Sequence, residues 1–106
     1  MRTYDYPVIS SVDGTTDPSS AIIDCSSMYE CSLESVATGT IAGTMNIQVS
    51  NDKINFVDLT SSSLSVSSAG SLMTGVLSLA HQWLKVVFAH SGGSGNVSGI
   101  LKMNGH

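Results

Sequence analysis

The chain has 106 residues, 42% of them hydrophobic and 11% charged, with a formal net charge of -4. That length fits one domain with one modest core, and high apolar content with so little charge excludes a disordered chain. The four cations, Arg2, Lys53, Lys85 and Lys102, are scattered singly and cannot form the basic face that displaces counterions from phosphate, which excludes nucleic acid as a partner.

The opening MRTYDYPVIS has neither a basic start followed by an apolar run nor a cleavage site, so synthesis in the cytoplasm without a secretory signal is expected. Residues 4–10 read as a strand. Pro7 has no amide hydrogen for a ladder, which puts that strand at an edge or in a tail. Residues 1–20 are expected to form an N-terminal arm and loop, and residues 21–106 a single sandwich domain. Tyr4 and Tyr6 make the arm a candidate to lie across a neighbouring subunit; a frayed terminus is the other reading. DGTTDPSS is rich in turn formers. Asp13, Asp17 and Asp24 lie near Gly14, but the spacing and closing Glu of an EF-hand are missing, so they read as solvated turns.

Short strands are expected at AIID and CSLESVAT. Cys25 and Cys31 are expected to be free thiols in a reducing compartment, with a disulfide across a turn as the alternative; no metal or cofactor is expected. TMNIQVS alternates strictly. Met45, Ile47 and Val49 fall on one face, and Thr44, Asn46, Gln48 and Ser50 on the other, the pattern of a strand with one side buried. Thr44, Asn46 and Gln48 are therefore interface candidates, alongside Tyr4 and Tyr6. SND at 50–52 is a turn, followed by a segment around Phe56.

SSLSVSS repeats the alternation with Leu64 and Val66, and SAGS is another turn. SLMTGVLSLA comes nearest to a helical stripe, but Gly75 and its β-branched neighbours weaken it, and VLSLA reads as a strand. The run from residue 72 to 89 is long and apolar. It is interrupted by His81, Gln82 and Lys85, and placing Lys85 in mid-bilayer would cost about 2.5–3.5 kcal/mol, so no membrane partner is expected. In QWLKVVFAH, Leu84, Val86 and Phe88 share one face and Trp83, Lys85 and Val87 the other. Trp83 is still read as core or interface, since a lone Trp beside Val87 is more often that than a sugar platform. HSGGSGN is expected to be a hairpin connection, with the arms 83–89 and 97–103 paired antiparallel. The last segment puts Val97, Leu101 and Met103 on one side. The core candidates are Met45, Ile47, Val49, Trp83, Leu84, Val86, Phe88 and Leu101.

Turn signals recur about every ten residues, which predicts an all-β, antiparallel β-sandwich, jelly-roll-like, of about eight strands. His81 and His90 flank one strand, and serines are everywhere, but no G-x-S-x-G elbow and no catalytic set stand out, so a non-enzyme is expected.

GTMNIQVSND, an Ala-Gly turn and QWLKVVFAHSGGSGNVSGILKMNG together resemble a group of small virion proteins of tailed bacteriophages. The shared pattern is a strand ending in an SND turn, a WLRV-like strand, a Gly/Ser-rich connection and a last strand closing in Lys-x-x-Gly. The resemblance covers residues 37–105. It implies a β-sandwich structural protein of the particle, most simply a capsid decoration or cement protein, or else a tail, neck or fibre subunit. The implied partners are further copies of the chain, as a trimer or other ring, and the major capsid protein or tail proteins. Its place would be the virion, after synthesis in the host cytoplasm. A carbohydrate-binding host-adhesion module is the alternative from another class.

Overall fold

A computed structural model describes residues 2–67 and 69–105. The strands are β1 (Arg2–Asp13), β2 (Ile23–Asp24), β3 (Met28–Ala37), β4 (Ala42–Ser50), β5 (Val57–Asp58), β6 (Leu64–Ser67), β7 (Gly70–Met73), β8 (Leu77–Ser78), β9 (Trp83–Gly92) and β10 (Asn96–Gly105). They form two five-stranded sheets, with every pairing antiparallel. The first sheet has the order β1-β10-β3-β7, with β8 also on β3. The second has the order β2-β9-β4-β5, with β6 also on β4. When β5 is merged with β6, and β7 with β8, eight positions remain and the chain changes sheet in the manner of a jelly roll. The expected fold class is the observed one. SLMTGVLSLA supplies β7 and β8, and the loop after β1 holds one 3-10 turn, Gly14–Thr16.

Alternation along each strand sends one set of side chains between the sheets. Met45, Ile47, Leu84, Val86 and Leu101 are fully buried there, and Val49 and Phe88 nearly so. Leu33, Ile41, Val97 and Met103 complete the centre. Burial of each such side chain is worth about 1.5–3 kcal/mol.

Three expectations are corrected. First, residues 83–89 and 97–103 do not pair with each other. β9 lies between β2 and β4 in the second sheet, and β10 between β1 and β3 in the first. The glycine-rich connection is an arch from one sheet to the other, so its two arms meet through their buried faces rather than through backbone hydrogen bonds. A second arch, residues 38–41, joins β3 to β4 in the same way and lies alongside. Thr40 N–H donates to Ser94 O at 2.9 Å and Thr38 N–H to Asn96 O at 2.9 Å. Asn96 N–H donates in return to Thr38 Oγ1 at 3.0 Å. Gly93 has φ +65° and lies so close to Thr40 that a Cβ would overlap the Thr40 carbonyl.

Second, residues 2–20 are not a free arm. β1 pairs with β10 from Arg2 opposite Gly105 to Asp13 opposite Asn96, and Ser19 forms a bridge to Val87. Pro7 is accommodated because β1 is an edge strand, with register shifts between Tyr6 and Ile9 and between Ile9 and Val12. Third, Trp83 is not core. It alternates with the buried Leu84 and so takes the outer face of β9, half-buried. Of the expected SAGS turn, Ser68 lies outside the described residues.

Candidate interaction surface on the second sheet

The outer face of the second sheet gathers the polar set of β4 and the outward set of β9. Register places Asn46 opposite Val87, Gln48 opposite Lys85 and Ser50 opposite Trp83. On its other side Gln48 faces Asp58 of β5, and Trp83 faces Asp24 of β2. Directly opposed residues of an antiparallel pair share a face, so these side chains form one continuous patch. Asp58 Oδ1 accepts from Asn46 Nδ2 at 2.8 Å and from Gln48 Nε2 at 3.2 Å.

The loop from Ser50 to Phe56 folds back over this patch, and Asp52 organises it. Asp52 Oδ1 accepts from Asn55 N–H at 2.8 Å, Ile54 N–H at 2.9 Å and Ser50 Oγ at 2.8 Å. Asn55 Nδ2 donates to Asp52 Oδ2 at 2.8 Å. Stabilisation of the anion, first by the Asn55 amide and then by the Ile54 amide, holds the Asp52 carboxyl well below the usual carboxylate range. The ordered turn places Lys53, itself at φ +65°, with Nζ 4.7 Å from the centroid of the Trp83 ring. Phe56 lies under Lys85 Nζ at 4.5 Å. Cations over aromatic faces at these distances are attracted by the ring quadrupole. The loop leaves Ile54 82% exposed, an apolar side chain held outward by a fixed turn, whereas Val57, at the start of β5, is exposed at the sheet edge on the same side as its partner Val49.

The interface candidates read from sequence separate here. Thr44 is exposed on this face, and Gln48 is half-buried. Asn46 is only 7% exposed and its amide is bonded to Asp58, which corrects its reading as a contact residue: it supports the patch from within. Tyr4 and Tyr6 are on the other sheet, opposite the buried Met103 and Leu101, with their rings stacked at 6.2 Å. Tyr6 packs against the core, so neither tyrosine belongs to a free arm. Alternation alone does not indicate Lys53, Ile54 or Phe56; the SND turn was the only local signal, because Asp at its end is the residue type that accepts from amides further along.

The other polar residues singled out from sequence are accounted for locally. Asp13 Oδ1 accepts from Thr15 N–H at 3.0 Å, and Asp17 Oδ1 from His90 N–H at 2.8 Å. Asp24 Oδ1 accepts from Ser26 N–H at 3.0 Å. His90 Nε2 lies 2.9 Å from Gly93 O, inside the arch connection. Cys25 and Cys31 are free, buried thiols. Cys25 Sγ–H donates to His81 O at 3.2 Å. Burial pushes Cys25 up to about 11 and Cys31 up to about 12, with neighbouring acidic groups adding to the rise.

No protein-family model and no curated protein sequence matches the chain. Its fold is similar to several solved structures. With the PBSX exported protein XepA the TM-score is 0.74 at 10% identity, over 97% of this chain and 37% of that one, so the chain spans little more than a third of XepA. With the SPBc2 prophage-derived protein YomS the TM-score is 0.64 at 9% identity, over 95% of this chain and 93% of that one. The C-terminal CBM6 of LamC from Zobellia galactanivorans gives 0.57 at 11% identity, over 97% and 100%. At these identities the likeness is one of fold.

Proposed function

We propose that this chain is a non-enzymatic structural component of a bacteriophage virion, and within the virion a decoration or cement subunit on the outside of the head. The observation that most supports this reading is the coextensive fold shared with prophage-derived YomS, in which one sandwich accounts for nearly the whole of both chains. The jelly roll is a recurrent solution for capsid subunits, because two closely packed sheets give a stiff block with loops free for contacts. The mechanism would be geometric. Copies of the sandwich, as a trimer or other ring, bridge neighbouring major capsid proteins and multiply weak contacts into strong attachment. The outer face of the second sheet, with Thr44, Gln48 and Ile54, is the proposed contact surface.

Particles from an induced lysate of the strain carrying the gene, banded on a density gradient and analysed by quantitative mass spectrometry, test this. The chain is expected in the particle band in many copies, with antibody labelling on heads. Labelling confined to tails or necks would move it to the tail, neck or fibre role, and absence from particles would end the virion reading.

A second reading, a carbohydrate-binding host-adhesion module, rests on Trp83, which is half-buried on an outer face between Ser50 and Asp24. Glycan-array binding lost in Trp83→Ala, with the fold retained, would favour it.

A further inference from the structure

From Leu59 to Ala80 the sequence carries no charged residue. The fold turns this stretch into one side of the sandwich. β10 runs along β3 on one edge, so β7 and β8, which also pair with β3, share the other. β9 runs along β4 in the same way and leaves β5 and β6 together on the free edge. Val66 of β6 and Leu72 of β7 line one cavity, which puts the two free edges on the same side of the molecule. Of the large apolar side chains exposed among the described residues, four stand here: Val57, Leu72, Met73 and, on the bend between β7 and β8, Val76 at 71%. Thr74 N–H donates to Leu33 O at 2.9 Å and Leu77 lies opposite Cys31, so Gly75 and Val76 share the space opposite Ser32 and bulge outward. The bulge interrupts the row of backbone groups that an added strand would need, so contact on this side is made by side chains. The nearest carboxylates flank it on the outer faces: Asp58 opposite Gln48, Glu34 opposite Met73 and Glu30 opposite Ser78.

We propose that this side packs against the same side of further copies of the chain, around a shared axis. Charge selects the partner. Each copy has a net charge of -4, so copies repel one another, and the repulsion is least where neither brings an ion to the contact. A charge-free side also meets its own kind without desolvating ions, and Val57, Leu72 and Val76 leave water when it does. A strongly basic partner would be drawn instead to the carboxylates on the outer faces. Contacts between like subunits have cores that are depleted in charge and rich in apolar area in the same way. The inference rests on the proposed assembly of copies, but not on its place in a virion, and it leaves the outer face of the second sheet free for another partner.

Sedimentation equilibrium of the purified chain, from low micromolar to the highest soluble concentration, tests it. A reversible homo-oligomer is expected. Val76→Asp and Val57→Asp, both at exposed positions, are each expected to weaken association about tenfold or more with the folded circular dichroism spectrum kept. Ile22→Asp, exposed beside β2 on the opposite edge, is expected to leave association unchanged. Raising sodium chloride from about 0.05 M to about 0.5 M is expected to tighten association, because it screens the repulsion between copies. The proposal is overturned if the chain is a monomer throughout, if neither Val76→Asp nor Val57→Asp dissociates the oligomer, if Ile22→Asp does so in their place, or if salt dissociates it. A monomer found in particles would overturn this inference alone. An oligomer broken by Val76→Asp, in a protein absent from particles, would uphold it and end the virion reading.

Discussion

Asp52 shows how one side chain can set a surface. Its two oxygens hold Ser50, Ile54 and Asn55, and through them the placement of Lys53 over Trp83. Because its folded pKa lies below the ordinary 3.8, its contribution to loop order is complete above that value and is lost as pH falls through the lower, folded one. The Ile54 and Asn55 amide resonances should therefore hold their folded positions at about pH 4 and move together only in stronger acid. In Asp52→Ala they should collapse toward random-coil positions at neutral pH, with a change in Trp83 fluorescence as Lys53 leaves the ring. Unchanged spectra would show that the turn holds without its carboxylate. The two cysteines shift the other way. With folded values near 11 and 12 against 9.0 for an ordinary thiol, both are neutral at working pH. Their contribution to stability is full below about pH 9 and declines as the unfolded thiols ionise above it. A thiol reagent at about pH 8 should label neither in the native protein and both in denaturant, and the urea midpoint should fall between pH 8 and pH 10.

At the scale of elements, alternation in TMNIQVS and QWLKVVFAH indicates which side chains turn inward, because the period of a strand is set by its pleat. It does not indicate which strand lies beside which. A hairpin and an arch both require two half-apolar segments and a glycine-rich link, and they differ only in whether the arms meet edge to edge or face to face. The long-range contacts of the arch, Thr40 with Ser94 and Thr38 with Asn96, have no local signature. The same holds for Arg2–Asp13, whose partner strand lies at the far end of the chain. Trp83 was legible in part: its alternation with Leu84 was right, and only its size argued for the core. Gly93→Ala should destabilise by more than about 1 kcal/mol, since it combines a left-handed φ with an overlap on Thr40. Ile47→Ala, at the middle of β4, should cost about 2–5 kcal/mol, read as a lower urea midpoint at constant slope. Tyr6→Ala should also lower stability, because the ring packs against the core; a neutral effect would return it to the role of a free contact residue.

For the whole molecule, the virion reading predicts a homo-oligomer. Light scattering on the purified protein should give the mass of a trimer or other ring, and Ile54→Asp should reduce incorporation into particles without changing the melting temperature. Loss of incorporation with a lower melting temperature would instead mark Ile54 as structural. The pairing of β1 with β10 has a consequence of another kind. β10 occupies the place between β1 and β3, so the first sheet cannot close while the ribosome is still making residues 96–105. Until then β1 and β3 have no common neighbour, and the inner faces of the second sheet have little to pack against. Folding is therefore expected to wait for the last strand to emerge and then to proceed as one late event, slow for the size of the chain because its decisive pairings are distant in sequence. A nascent chain stalled before Asn96 should be protease-sensitive throughout and a natural client for chaperones.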